Sequence, residues 1–241
     1  MGWLGLEGKR VLLAGAGSIG AELASAFDKA GAQLVVGDAN ADRFANVPGT
    51  TVEVDLSNAD ACRELVSRAR EALGGIDVFV HCVGVNDRRP IEEYGDDDWQ
   101  KILTVNLSSA FWLAQAAVKV MRGHEGRVIF FSSVAGLLGH KNHGPYAATK
   151  GGINQLMKVM AHELAAEGIT VNAIAPGYVE TNLTSTHLAK PGVRDHLLSL
   201  IPAGRFGTTE ELVGPVLFLA SKQAGFITGH VLYVDGGRTT V

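Results

Sequence analysis

The stretch "VLLAGAGSIGAELASAF" (Val11–Phe27) changes character in its middle: an apolar run, then glycines at 15, 17 and 20, then apolar residues recurring every three or four positions. The first part suits a β-strand and the last an amphipathic helix. The small residues between them would let an anionic group approach the backbone N–H groups at the helix N-terminus. The same glycines would also serve an ordinary tight turn.

A second stretch weighs on that choice. "LVVGDAN" (Leu34–Asn40) is another strand-like run, and Asp38 at its end follows the glycines by about twenty residues. A carboxylate there can accept hydrogen bonds from ribose hydroxyls and would repel a 2′-phosphate, so the pair points to a dinucleotide, and to NAD rather than NADP. Ser18 and Ile19, between the second and third glycines, belong to the same cradle. Asp38 can instead cap the "ANADRF" segment that follows. Asp55 ends "VEVDLS", where its carboxylate and the Leu56 amide could meet an adenine edge; an N-cap for the next helix explains it equally well.

Working outward, seven short runs read as strands: "RVLLAG", "AQLVVGD", "TTVEVD", "IDVFVHCVG", "GRVIFFSS", "GITVNAIAPG" and "HVLYVDGG". Longer segments of helical period separate them, among them "SIGAELASAFDKAG", "NADACRELVSRAREALGG", "VNLSSAFWLAQAAVKVM" and "YAATKGGINQLMKVMAHELAAEG". Near-continuous apolar strands alternating with helices predict a parallel sheet covered on both faces. The expected fold class is α/β, a Rossmann-like doubly wound parallel sheet of about seven strands with helices on both faces. No repeat or Pro-rich linker divides the chain, so residues 1–241 read as a single dinucleotide-binding domain. The segment from Glu180 to Pro202 reads as an insertion near the C-terminal strand ends.

Composition narrows the partners. The formal net charge is −4 and the basic residues are scattered, so no basic stripe suggests nucleic acid or an anionic membrane surface. The N-terminal "MGWLGLEGKR" has its basic pair after the apolar stretch, the wrong order for a signal peptide, and no segment has the apolar length of a membrane span. Two cysteines, Cys62 and Cys82, suit a reducing cytosol, so a cytoplasmic location and a small-molecule substrate are expected, with no metal site.

The chemistry is read from "PYAATKGGIN" (Pro145–Asn154). Tyr146 and Lys150 are four apart and share one face of a helix, and Ser133 ends the strand-like "FFSS" thirteen residues before the tyrosine. A phenol has an ordinary pKa of ~10, too high for a base at neutral pH, but a nearby ammonium and an oxidised nicotinamide both favour phenolate. Tyr146 would then exchange a proton with an alcohol while Ser133 holds the substrate oxygen. Asn106 in "TVNLSSAF" is an amide early in a long apolar helix and could hold a water between Lys150 and solvent. Singly, each residue also has an ordinary reading: a capping residue, an amphipathic tyrosine, a surface lysine.

Together these residues resemble the short-chain dehydrogenase/reductase family, over about Leu6 to Gly237. The resemblance rests on Asn106, Ser133, Tyr146 and Lys150 at the family spacing, "NAIAPGYVET" after the sixth strand, and "FITGHVLYVDGG" near the end. It implies a catalytic tetrad of those four residues. It also implies that Tyr146 and Lys150 touch the cofactor, that the segment after Pro176 and Gly177 lies against nicotinamide with Val179 and Thr181 in contact, and that the protein is a homotetramer. The glycine loop departs from the family's T-G-x-x-x-G-x-G: "AGAGSIG" lacks the Thr and is one residue short, or has Ser18 for a Gly. The family's N-N-A-G is here "HCVG", which keeps Gly84 and puts His81 and Cys82 where two amides usually stand. Cys82 and Gly84 would still adjoin the cofactor.

For the substrate, "VGVNDRRPIEEYGDDDWQKILTVN" and "IPAGRFGTTEELVGPVLFLAS" resemble the branch containing gluconate 5-dehydrogenase and 2-deoxy-D-gluconate 3-dehydrogenase, which act on sugar acids. Arg88 and Arg89 follow the fourth strand, and a guanidinium fork suits a carboxylate. They could equally face the acidic run Asp96, Asp97 and Asp98 or a subunit contact. His140, Asn142 and His143 precede the tyrosine, and Leu183 and His187 lie in the inserted segment; all could line the pocket or simply be exposed. The expected activity is NAD-dependent interconversion of a secondary alcohol and a ketone on a sugar acid or polyol. Two alternatives stand beside it: a 3-oxoacyl thioester reductase, and a nucleotide-sensing protein that has lost turnover.

Overall fold

A computed structural model describes residues 2–181, 184–185 and 188–241. Seven strands form one sheet: β1 (Arg10–Ala14), β2 (Gln33–Asp38), β3 (Thr50–Glu53), β4 (Val78–His81), β5 (Gly126–Phe131), β6 (Ile169–Pro176) and β7 (Val231–Val234). Every pairing is parallel and the order is β3-β2-β1-β4-β5-β6-β7. The expected Rossmann-like sheet, with its seven strands, is what the chain forms.

The strands are apolar throughout because alternate residues serve different cores. In β1, Leu12 and Ala14 join one cluster and Val11 and Leu13 the other; in β5, Val128 and Phe130 divide from Ile129 and Phe131 in the same way. Helices α2 (Ala59–Leu73), α4 (Ser109–Met121) and α5 (Gly144–Leu164) cover the first face, through residues such as Leu65, Leu113 and Met157. Helix α1 (Ser18–Lys29) covers the second with Leu23 and Phe27.

Four of the helical elements were not distinguished in the sequence. An acidic start, Asp96 to Asp98, opens α3 (Asp96–Leu103), and a π-helical turn (Thr104–Ser108) joins it to α4, so the helix read as beginning at Val105 is the second half of a longer, interrupted one. The inserted segment contains α6 (Val193–Ser199), which packs Leu197 against Ile201 and Phe206. The apolar "ELVGPVLFLAS" is α7 (Glu210–Ala220), and its Leu212, Val216, Leu217 and Leu219 lie in the second core rather than on a free face.

Candidate active site

β1 and β4 are neighbours, yet the chain leaves β1 toward the α1 face and leaves β4 toward the α4 face. Above their C-terminal ends a crevice of about 490 Å³ opens. Its floor is the glycine loop, and each glycine has its own reason. Gly15 has φ +104°, and a Cβ there would stand 2.8 Å from the Cys82 carbonyl oxygen; at Gly20 a Cβ would stand 2.0 Å from the Gly15 oxygen, because helix and strand touch. At Gly17 a Cβ would meet nothing within 4 Å, and this residue N-caps α1 with no side chain of its own to cap the first turn. Ser18 and Ile19 complete the loop's lining. An open backbone face at a helix N-terminus whose N-cap is a glycine fits a pyrophosphate, and the shortened loop keeps that face.

Asp38 is buried at the edge of this crevice, 4% exposed. Its Oδ2 accepts from the Ala16 N–H at 2.7 Å and its Oδ1 from the Asn40 N–H at 2.9 Å. Arg43, from a single 3₁₀ turn (Ala41–Phe44), folds back onto both carboxylate oxygens at 3.1 and 3.2 Å. That turn is capped by Asn40, not Asp38. Asp55 does not cap α2 either: Asn58 does, while the Asp55 carboxylate accepts from the Ser57 hydroxyl at 2.7 Å and the Ser57 N–H at 2.9 Å, which hold its pKa below the usual carboxylate range. Asp55, Leu56, Cys82 and Gly84 all line the crevice. Burial pushes the Cys82 thiol up to about 12, so it is a neutral wall atom rather than a nucleophile.

A smaller cavity of about 130 Å³ adjoins the crevice, sharing Ile19, Cys82, Gly84 and Thr181 with it. Ser133, Tyr146 and Lys150 converge there with Pro176, Gly177 and Val179. Pro145 at the first turn of α5 suits a helix start, and Tyr146 and Lys150 follow on one face, with Lys150 Nζ 5.5 Å from the tyrosine ring centroid. Nζ donates to the Phe131 carbonyl oxygen at 2.7 Å. Among the described residues no carboxylate pairs with it, and burial lowers its pKa to about 8. Burial raises the Tyr146 phenol above 10, against the opposing pull of a hydrogen bond with Ser133 and of the Arg88 charge.

Asn106 is fully buried behind this group, inside the π turn. Its Oδ1 accepts from the Val85 N–H at 2.7 Å, and its Nδ2 donates to the Val85 oxygen at 2.9 Å and to Thr149 Oγ1 at 3.3 Å. Thus the side chain clamps the loop after β4 to α5. His81 braces the same turn. The Ser109 hydroxyl donates to the Val105 oxygen at 2.6 Å, so toward His81 Nε2, 2.9 Å away, it accepts. Nε2 therefore carries the imidazole hydrogen, and Nδ1 is a bare, buried acceptor with no partner among the described residues. Burial and the Lys150 charge push the His81 pKa down to about 3.

On the far side of Tyr146 lies a third cavity, of about 60 Å³, lined by Arg88, Ser133, His143 and Tyr146. His143 is 4% exposed, stacks on the Tyr146 ring at 4.6 Å and meets Asn86 Oδ1 through Nε2 at 2.8 Å. Arg89 is not part of this lining. It pairs with Asp87 and, at 3.0 Å, with Asp98, and lies over the Tyr94 ring. Its charge faces the acidic run on α3. Asn142 is an exposed turn residue with φ +61°, and Leu183 and His187 lie outside the described residues.

The sequence reading did not name Arg43, Asn86, Tyr178 or Thr184 as wall residues. Arg43 had a signal, a cation five residues beyond Asp38; Asn86 and Tyr178 come from loops whose path no local pattern records, and Thr184 from the inserted segment. Among the described residues no cluster of ligating side chains suits a metal ion, and no helix is long and apolar enough to cross a membrane.

Known proteins resemble the chain over nearly its whole length. A family model described as Enoyl-(Acyl carrier protein) reductase matches residues 13–239. Gluconate 5-dehydrogenase of Gluconobacter oxydans is 34% identical, over 97% of this chain and 96% of the relative. A 3-oxoacyl-(acyl-carrier-protein) reductase of Vibrio cholerae is 33% identical, over 97% and 98%. Among solved structures, a gluconate 5-dehydrogenase from Burkholderia cenocepacia in complex with NADP and tartrate superposes with a TM-score of 0.92 at 34% identity, covering 98% of this chain and 96% of its own.

Proposed function

Since the chain belongs to the short-chain dehydrogenase/reductase family of oxidoreductases, we propose that it interconverts a secondary alcohol and a ketone on a sugar acid or polyol, with NAD as its preferred cofactor. The observation that carries the reading is the convergence of Ser133, Tyr146 and Lys150 in one cavity between the dinucleotide crevice and a pocket walled by Arg88.

In this reading the loop from Gly15 to Gly20 and the α1 N-terminus hold the pyrophosphate, Asp38 the adenosine ribose, and Tyr146 and Lys150 the nicotinamide ribose. Asp55, Leu56, Cys82, Gly84 and the segment Pro176, Gly177, Val179 and Thr181 wall the two bases. When bound, nicotinamide accepts a hydride from the carbinol carbon or returns it to the ketone. In oxidation, Tyr146 Oη takes the hydroxyl proton as the C–H electron pair leaves; in reduction it gives the proton back to the oxygen. Ser133 Oγ holds that oxygen in both directions. Burial keeps the phenol protonated, the form that reduction needs, and a positive ring beside it favours the phenolate that oxidation needs. Lys150, with a pKa of about 8, is mostly cationic at pH 7 and adds to that pull. Asn106 fixes the loop wall beside the lysine.

Arg88 supports an anionic substrate, because a guanidinium on the pocket wall can pair with a carboxylate. Arg89, engaged by two aspartates, contributes less. A thioester reductase is the second reading, favoured by relatives of that name at nearly the same identity. Residues 1–241 would act as one domain, and assembly as a homotetramer is supported by Phe111 on α4 and Val159 on α5, large apolar side chains left exposed.

Absorbance assays of nicotinamide reduction with a panel of sugar acids and polyols, run beside acetoacetyl thioester reduction, test the reading. Turnover of the thioester alone would end it. Arg88→Ala should raise KM for an anionic sugar about tenfold, as removal of one charge-assisted hydrogen bond requires, and spare a neutral polyol. Arg89→Ala should change both within about twofold.

A further inference from the structure

A row of rings runs from the reaction centre across the outer pocket. Tyr146 stacks on His143, His143 meets the edge of His140 at 6.1 Å, and His140 meets Tyr178 at 6.1 Å, with Tyr178 Oη 3.3 Å from His140 Nδ1. The other imidazole nitrogen, His140 Nε2, is buried and has no hydrogen-bond partner among the described residues. His140 is one of the residues lining the cavity that also holds Arg88, Ser133 and Tyr146. A buried polar atom left unpaired costs stability, so one carried by a residue that lines a cavity beside the reaction centre is a contact that a ligand can complete.

We propose that His140 is a specificity-determining residue: its Nε2 hydrogen-bonds a second hydroxyl of the substrate, beyond the one held by Ser133 and Tyr146. This deepens the sugar-acid reading and rests on it. Either tautomer of the ring can play the part. If the Tyr178 hydroxyl donates to Nδ1, Nε2 is a donor; if Nδ1–H donates to Tyr178, Nε2 is an acceptor. A hydroxyl satisfies both, and the methylene groups of an acyl chain satisfy neither. Burial, Arg238 and Arg88 all lower the His140 pKa, which keeps the ring neutral and spares it a charge repulsion with Arg88. Arg88 would then recognise the acid group and His140 a hydroxyl, two different features of a polyhydroxylated acid.

A site built around an unpaired polar group rejects analogues that lack its partner far more strongly than an apolar pocket does. The experiment measures kcat/KM for a sugar acid that the enzyme turns over and for its monodeoxy analogues, in the wild type and in His140→Leu and His140→Gln. The wild type should lose about 10²-fold on one deoxy analogue. In His140→Leu that discrimination should fall below about threefold, through loss of activity on the full substrate, with melting temperature and cofactor affinity close to wild type. His140→Gln, which keeps a polar terminus, should recover part of it. Should the Leu variant be unstable, the wild-type series and the Gln variant decide the matter. Equal kcat/KM for every deoxy analogue in the wild type, or undiminished discrimination in the variants, would overturn the role of His140 and leave the sugar-acid reading standing. Failure of every polyhydroxylated substrate while a thioester turns over would overturn both.

Discussion

Tyr146 and Lys150 stand one turn apart on a long, well-packed helix, whereas the surroundings of Asp38 are assembled from the glycine loop, the Asn40 backbone and the half-exposed Arg43. The first arrangement is fixed by helix geometry: no neighbour can change the spacing of two side chains on one face. The second is a balance of contacts, and a single surface substitution can shift it. In the proposed reading, one end of the crevice would set the kind of reaction and the other the dinucleotide that serves it, and the second end is the easier to retune. A gluconate 5-dehydrogenase solved with NADP is 34% identical to this chain over nearly its whole length, so the proposed preference for NAD rests on Asp38 and not on that likeness.

The sharpest separation of the two ends comes from Tyr146→Phe. Removing the proton acceptor should lower kcat by about 10²–10⁴-fold. The dissociation constant for NAD, followed by fluorescence quenching, should stay within about threefold because the glycine loop, Asp38 and Lys150 are left in place and only one ribose contact, the Tyr146 hydroxyl, is lost. A parallel loss of NAD affinity would join the two ends into one unit and break the contrast.

A smaller effect is expected at the other end. The Arg43 guanidinium neutralises Asp38 and is half exposed, so it can turn from the carboxylate to a 2′-phosphate. Asp38→Ala should raise the NADP-to-NAD ratio of kcat/KM by about 10–100-fold, because NAD gives up a charge-assisted hydrogen bond to its ribose while NADP is relieved of a repulsion. Arg43→Ala should lower NADP efficiency about tenfold and leave NAD nearly unchanged. If the ratio is indifferent to Arg43, the arginine serves only to neutralise Asp38, and the preference is set by the carboxylate alone.

The same contrast explains how much was legible in the sequence. The strands were, because each is apolar on both faces and must be covered twice. The tyrosine and lysine were, because four residues on a helix is a distance. What escaped depends on side chains that reach across the chain. Thr104–Ser108 opens into a π turn where Ser109 takes the Val105 carbonyl and Asn106 reaches to Val85, and nothing in "TVNLSSAF" announces either partner. Arg43 was visible as a charge, but its return to Asp38 depends on the 3₁₀ turn between them. Pro215 hid α7, where Leu212 and Val216 nonetheless supply a helical face to the core.

The subtlest difference lies at His81, which pairs with β1 in the sheet and braces the turn that holds Asn106, so that it underlies both ends. In the unfolded chain a histidine titrates near 6.5, while in the fold its pKa is about 3. Between those values the unfolded chain binds the extra proton and the folded one does not, so His81 costs nothing above pH 6.5 and withdraws stability as the pH falls toward 3. At pH 5 the loss amounts to about 2 kcal/mol relative to neutral pH. His81→Gln cannot titrate, and its amide can still donate to Ser109 from nearly the same place. Urea midpoints for the two proteins should converge near pH 7 and part below pH 6, with the variant holding about 2 kcal/mol more of its neutral-pH stability at pH 5. Parallel curves would mean that His81 finds a partner for its second nitrogen in solution, and the acid sensitivity assigned to this junction would have to come from elsewhere.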